Sequence, residues 1–254
     1  MKKLLESVEH FLIDFMSIVV LSLILSGAAS AIGLQVTPTT IELNPKELAQ
    51  KIWLSNTSNE QTQAQIRIYR WTQDGNKETL TPTQDLAVSP PMLTVLPNDK
   101  SLVRLIKIAP ATDQTLLEEQ SYRIIVNEVP VATASNNKTI SFVAEYSIPV
   151  FFYNGKNEQF KPEVTLSFVQ NNDVTALQVS NRGNGHAKLS SIEFIDNKGK
   201  KTLINSGLLG YVLPGQTRLW DLKAVSDALV QGGKIEFNLN DKKTSQPMSG
   251  RTSQ

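Results

Sequence analysis

The feature that most constrains this sequence is Ile140–Phe152, a run of thirteen residues in which every second side chain is apolar. This alternation predicts a β-strand with one apolar face, and at the rise of a strand the run spans about 40 Å. Pro149 has no N–H to donate, which favours a position at a sheet edge or a bulge. A long apolar edge strand offers its unpaired backbone groups to another chain. We therefore interpret this segment as a binding surface.

The N terminus has the pattern of a secretory signal peptide. Lys2 and Lys3 precede an apolar stretch over residues 15–25, and Ala29-Ser30-Ala31 supplies small residues at the spacing of a cleavage site. We predict cleavage after Ala31, so that residues 1–31 form the leader and the mature protein is exported. The region before the apolar stretch is long and contains acidic residues, so a retained anchor is the alternative, although the stretch is short for a bilayer span.

Composition argues against most kinds of catalytic or metal site. The chain has no cysteine and only two histidines, His10 and His186, so it lacks a thiol nucleophile and a thiolate metal site, and a single histidine cannot alone build a triad or a zinc site. His10 leaves with the leader, and His186 falls in a glycine-rich turn where we expect a solvated loop residue. The sequence therefore predicts no catalytic residues, no metal, no cofactor and no small-molecule substrate.

The charge balance also bears on partners. The chain carries 25 basic and 24 acidic residues, and a chain so close to neutral does not suggest nucleic acid as a partner.

Short runs of alternating β-branched and aromatic residues between turn signals predict an all-β protein. The pattern restarts after Asn154-Gly155, which predicts a hinge between two modules with a cleft between them. We predict one module over residues 32–153 and a smaller one over 154–240. Residues 241–254 have lost apolar alternation and are predicted to be a flexible tail.

Several segments together resemble the periplasmic pilus chaperones of the chaperone-usher pathway. In the first module these are Ser89-Pro90-Pro91, Ser101-Leu102-Val103-Arg104, Asn127-Glu128-Val129-Pro130 and the alternating strand beyond. In the second module, Leu177–Asn181 and Val212–Gly215 are also similar to the family. The resemblance covers nearly all of the mature chain, and the Ser-Ile-Pro-Val-Phe segment looks most like the archaic branch.

The resemblance implies two immunoglobulin-like β-sandwiches arranged as a boomerang, acting in the periplasm on pilin subunits and delivering them to an outer-membrane usher. Such a chaperone lends its own edge strand to a pilin that lacks its last strand. The residues implied to face the pilin groove are Ile140, Phe142, Ala144, Tyr146 and Ile148. Alternation alone favours packing of the same face into the module's own core, and only the resemblance favours the groove.

Charged positions agree only in part with the family. The better-known branch holds the pilin's terminal carboxylate with an arginine and a lysine, and the corresponding positions here are Thr40 and Pro149, so no such anchor is predicted. Arg104, Glu119 and Asp227 match a charged cluster near the domain junction, where an arginine could bind two carboxylates.

The main alternative is an exported immunoglobulin-like structural or adhesive pilus subunit. Such a subunit should carry a free N-terminal donor extension, whereas the first predicted strand follows Ala31 almost at once. A periplasmic enzyme is a further alternative, and it would need a polar pocket in the cleft. Whether the free protein covers its apolar strand by self-association stays open.

Overall fold

The computed structural model describes residues 33–47, 49–108, 119–129, 143–153, 159–171, 174–222 and 232–249. These residues form seventeen β-strands and no α-helix, which confirms the predicted all-β class. No helix within these ranges has the length and hydropathy needed to cross a bilayer. The predicted leader over residues 1–31 and the predicted hinge at Asn154-Gly155 lie outside the described residues.

Ten strands build the N-terminal sandwich. They are β1 (Leu34–Thr37), β2 (Ile41–Leu43), β3 (Ala49–Asn56), β4 (Thr62–Asp74), β5 (Lys77–Pro82), β6 (Leu86–Ser89), β7 (Met92–Val95), β8 (Lys100–Lys107), β9 (Gln120–Val129) and β10 (Glu145–Phe152). One sheet has the order β1-β3-β8-β6, and the other has the order β2-β10-β9-β4-β5 with β7 also paired to β4. Alternate side chains of both sheets meet in one core that contains Ile52, Leu54, Val103, Ile124 and Val126.

The segment Leu34–Leu43 is divided between the two sheets. β1 pairs antiparallel with β3, whereas β2 pairs parallel with β10. Pro38 lies between them, and since proline cannot donate to a strand ladder it ends β1. The change of sheet brings β2 alongside only the last three residues of β10, Val150–Phe152.

Seven strands build the C-terminal sandwich. They are β11 (Val164–Asn171), β12 (Val174–Asn181), β13 (Ala187–Asp196), β14 (Lys201–Val212), β15 (Thr217–Asp221), β16 (Gly233–Leu239) and β17 (Lys242–Met248). Their sheets have the orders β11-β12-β15 and β14-β13-β16-β17. The core between them contains Phe168, Leu177, Leu189, Phe194 and Phe237.

The prediction of a flexible tail is wrong for Lys242–Met248, which form β17 and pair with β16 along its whole length. Asn240 and Asp241 make a two-residue connection with φ values of 47° and 65°, the backbone that suits a tight hairpin. The side chain of Asn240 also accepts a hydrogen bond from Lys188 N–H at 2.7 Å. The pairing is a backbone interaction, so it does not need the apolar alternation on which the prediction relied. Residues 250–254 lie outside the described part.

Gln246 joins the two sheets of the C-terminal sandwich and generates a stability prediction. Its side-chain amide donates to Leu166 O at 2.9 Å and accepts from Leu166 N–H at 3.2 Å. Gln246→Ala should lower the free energy of unfolding by about 1–3 kcal/mol, because both backbone groups lose their partner. Lys242→Ala, at an exposed position of the same strand, is the control and should change it by less than about 0.5 kcal/mol in a urea titration.

Candidate functional site

Strand β10 is paired along one side and only partly along the other. It pairs antiparallel with β9 from Glu145 to Phe152, but with β2 only from Val150 to Phe152. Within the described residues, no strand pairs with the outer side of Glu145–Pro149. We call this stretch the open edge.

Two hydrogen bonds define which backbone groups point outward at the open edge. Glu128 N–H donates to Ala144 O at 2.9 Å, and Tyr153 N–H donates to Leu43 O at 2.9 Å. Because the hydrogen-bonding direction alternates along a strand, the even-numbered residues of β10 bond to β9 and the odd-numbered residues face away. Glu145 and Ser147 thus turn their N–H groups outward, and Pro149 occupies a position where the ladder with β9 needs no N–H.

The apolar face of β10 is placed differently from the prediction. Ile148 is 3% exposed and belongs to the core of its own sandwich, together with Val150 and Phe152. Tyr146 packs against the same core, and its hydroxyl donates to Leu34 O. The prediction that Ile148 faces a pilin groove is therefore wrong. β10 belongs to a two-sheet sandwich, and its alternating apolar side chains line the core between the two sheets.

The residues just before β10 are more exposed. Ala144 is half-buried, and the neighbouring Val143 is 54% exposed. Ile140 and Phe142, the two predicted groove residues that precede them, lie outside the described residues.

The predicted charged cluster of Arg104, Glu119 and Asp227 is not assembled from the two members that the structure describes. Arg104 lies exposed on β8, and no ion pair of the described residues includes it. Glu119 is buried, and its carboxylate lies 2.7 Å from His186 Nδ1. Asp227 lies outside the described part of the chain.

The expectation of a solvated His186 is also wrong. The residue is 7% exposed and its ring stacks on Phe151 with a centroid distance of 3.5 Å and an interplanar angle of 6°. Its backbone N–H donates to the Glu119 carboxylate at 3.1 Å. Glu119 and His186 are 67 residues apart, so no local sequence pattern connects them.

A small apolar cluster fills the junction between the sandwiches. Trp71, Phe151 and Tyr153 come from the N-terminal sandwich, and Tyr211 and Leu213 come from the C-terminal one. Burial raises the pKa of the Tyr153 hydroxyl, and the nearby Glu119 carboxylate raises it further. The Tyr153 phenol therefore stays neutral.

Side chains of the N-terminal sandwich satisfy backbone groups of the C-terminal one. Gln73 donates to Tyr211 O at 3.0 Å and accepts from Leu213 N–H at 2.9 Å. Asn76 accepts from Leu219 N–H at 2.7 Å. Together with the Glu119–His186 pair, these contacts fix the two sandwiches to each other, and those of Gln73 and Glu119 do so through buried polar groups.

A polar cavity of about 170 Å³ lies at this junction, lined by residues that include Arg70, Trp71, Glu119, Leu213 and Gln216. The indole N–H of Trp71 is buried without a hydrogen-bond partner among the described residues. The guanidinium of Arg123 lies 3.8 Å from the Trp71 ring centroid. Burial lowers the pKa of this guanidinium. No group of three or more His, Asp or Glu side chains in the described ranges could hold a metal ion.

Comparison with known proteins identifies the N-terminal sandwich. Residues 33–153 match the family of pili and flagellar-assembly chaperones, in its PapD N-terminal domain. The N-terminal sandwich therefore carries the domain of that family. The recognition made from the Ser-Pro-Pro, Ser-Leu-Val-Arg and Asn-Glu-Val-Pro segments is thus confirmed. No curated protein matches the sequence.

Solved chaperone structures share the fold of most of this chain. One, from a complex of the chaperone CsuC with the tip adhesion subunit CsuE of the archaic Csu pili of Acinetobacter baumannii, is 24% identical with a TM-score of 0.65, covering 86% of this chain and 99% of that one. The Pseudomonas aeruginosa CupB2 chaperone is 17% identical with a TM-score of 0.55, covering 84% and 98%. A chain from the complex of the Salmonella enterica SafA pilin with the SafB chaperone is 16% identical with a TM-score of 0.59, covering 87% and 97%. These likenesses confirm two immunoglobulin-like sandwiches.

The junction between the two sandwiches generates a prediction at Glu119. Glu119→Ala should lower the free energy of unfolding by about 1–3 kcal/mol, because the buried backbone N–H of His186 loses its acceptor. Glu119→Gln keeps an oxygen acceptor at the same place and should cost less than the alanine variant. Thermal unfolding followed by circular dichroism measures both, and equal losses in the two variants would show that the acceptor is not the stabilising group.

Proposed function

We propose that this chain is a periplasmic chaperone that binds pilin subunits by donor-strand complementation and delivers them to an outer-membrane usher. The observation that carries the proposal is the open edge of β10. Its outward N–H groups at Glu145 and Ser147, together with the outward carbonyls, can form a ladder with a strand of another protein.

The side chains proposed to enter the pilin groove are Ile140, Phe142 and Ala144. Tyr146 and Ile148 continue the same face into the chaperone's own core, so the donor residues are expected on the N-terminal side of Tyr146. Each large apolar side chain transferred from water to a groove would contribute about 1.5–3 kcal/mol. The small Ala144 would fit the end of the groove nearest the chaperone.

Two similar structures support the class of partner. One is a complex with a tip adhesion subunit, and another is a complex of a pilin with its chaperone. We infer a pilin or adhesin subunit as the partner of this chain. Export to the periplasm is proposed from the predicted leader over residues 1–31, and cleavage after Ala31 would release the chain there.

The junction between the sandwiches has a role in this function. A strand lent from β10 is held in place only if the sandwich that carries it is fixed, and Phe151 of β10 itself stacks on His186 of the C-terminal sandwich. Rigid placement of a donor lowers the ordering cost of binding. This role needs no catalytic chemistry, and we propose none for the polar junction cavity.

The structural or adhesive subunit is less favoured than the chaperone. The family match favours the chaperone directly. In addition, the N-terminal sandwich fills its own core with Ile148, Val150 and Phe152, whereas a pilin awaiting a donor strand has an open groove.

A single backbone substitution tests the open edge. Ser147→Pro removes one outward N–H and leaves the ladder with β9 intact, since Ser147 faces away from β9. We expect about a tenfold loss of affinity for the cognate pilin, measured by co-expression, purification and titration of the complex. Ser147→Ala keeps the N–H and should bind normally.

Side-chain complementation is tested separately by Phe142→Asp, which should abolish recovery of a stoichiometric complex. The melting temperature of each variant is measured alone, so that misfolding is recognised. If folded Ser147→Pro and Phe142→Asp both capture pilin like the unmodified chain, the proposal is wrong.

A further inference from the structure

The outer face of the β1-β3-β8-β6 sheet carries positive charge with no acidic side chain to balance it. The outward residues can be read from the alternating burial of the strands. They are Gln35, Thr37, Ala49, Lys51, Trp53, Ser55, Ala87, Ser89, Lys100, Leu102, Arg104 and Ile106. We call this set the basic face. Its three cations are Lys51, Lys100 and Arg104, and none of them takes part in an ion pair within the described residues.

Two of these cations stand directly opposite each other. Lys51 of β3 is the cross-strand partner of Arg104 of β8, and like charges in this relation destabilise a sheet. Ser89, the next residue across, offers no carboxylate. The closest acid along the chain is Asp99, on the turn before β8, where it accepts a hydrogen bond from Lys100 N–H at 2.7 Å. Folding alone does not favour this like-charge pair, and departures of this kind are expected at functional positions.

An exposed tryptophan lies beside this pair. Trp53 is 41% exposed and stands between Thr37 and Leu102 in the cross-strand register. Beside its ring is a depression of about 310 Å³ lined by Thr37, Trp53, Ser55 and Lys100. Tryptophan and arginine are the residue types that most often dominate the energy of protein interfaces, where they sit at pockets filled by a partner's side chain.

We propose that the basic face binds an acidic polypeptide segment that carries an aromatic residue. The aromatic side chain enters the depression against Trp53, and flanking carboxylates pair with Lys51, Lys100 and Arg104. A depression of fixed shape next to the cations favours a peptide over a fluid lipid surface. The face belongs to the sheet that does not contain β10, so this binding is independent of the proposed capture of pilin.

The probe is a fluorescein-labelled peptide of sequence DEDFDED, titrated with the mature chain and followed by fluorescence polarisation. We expect saturable binding that weakens as salt is raised, and about tenfold weaker binding of DEDADED. Trp53→Ala should remove the difference between the two peptides.

Lys51→Glu separates binding from folding. It should weaken DEDFDED binding at least tenfold while leaving the melting temperature unchanged or higher, because it turns the Lys51–Arg104 repulsion into an opposite-charge pair. Lys198→Glu, which makes the same charge change at an exposed position of the C-terminal sandwich, is the matched control and should bind normally. The proposal is overturned if both variants lose affinity equally, if neither does, or if the chain binds phosphatidylglycerol vesicles but not the peptide.

Discussion

The period of two along β10 is the constraint from which most of this structure follows. One face of the strand closes the core of the N-terminal sandwich through Tyr146, Ile148, Val150 and Phe152, and the other face carries Phe151 into the junction. Both faces are thus buried within the chain over Ile148–Phe152. The edge of the strand remains available to a partner, because β2 pairs with only three of its residues.

The junction illustrates how buried polar groups can specify one arrangement of two sandwiches. Apolar contacts such as those of Trp71 and Tyr211 are tolerant of small shifts, whereas the hydrogen bonds of Gln73 and Glu119 are met in one geometry only. Each of these side chains substitutes for a missing backbone partner in the other sandwich. The cost of leaving those groups unpaired makes alternative placements unfavourable.

Sequence patterns predicted the strands of this protein better than they predicted what individual side chains contact. Alternation found most strands because it reports period two directly, and the proline-containing segments indicated the family. Alternation could not say that Ile148 faces its own core, because a core and a partner's groove demand the same side chains. It also missed β5 and β17, whose residues are mostly exposed, since their pairing is made by the backbone. His186 could not be placed, because its partner Glu119 and its stacking partner Phe151 are distant in sequence.

The position of Pro149 has a consequence for any chain that joins the open edge. A strand of another protein could accept hydrogen bonds from the N–H groups of Glu145 and Ser147, but Pro149 has no N–H to donate. Beyond Pro149, the edge of β10 is already paired with β2. Pro149 therefore limits how far a second strand can pair along β10. This limit would hold a short bound segment in one register and would discourage continued edge-to-edge association between copies of the protein.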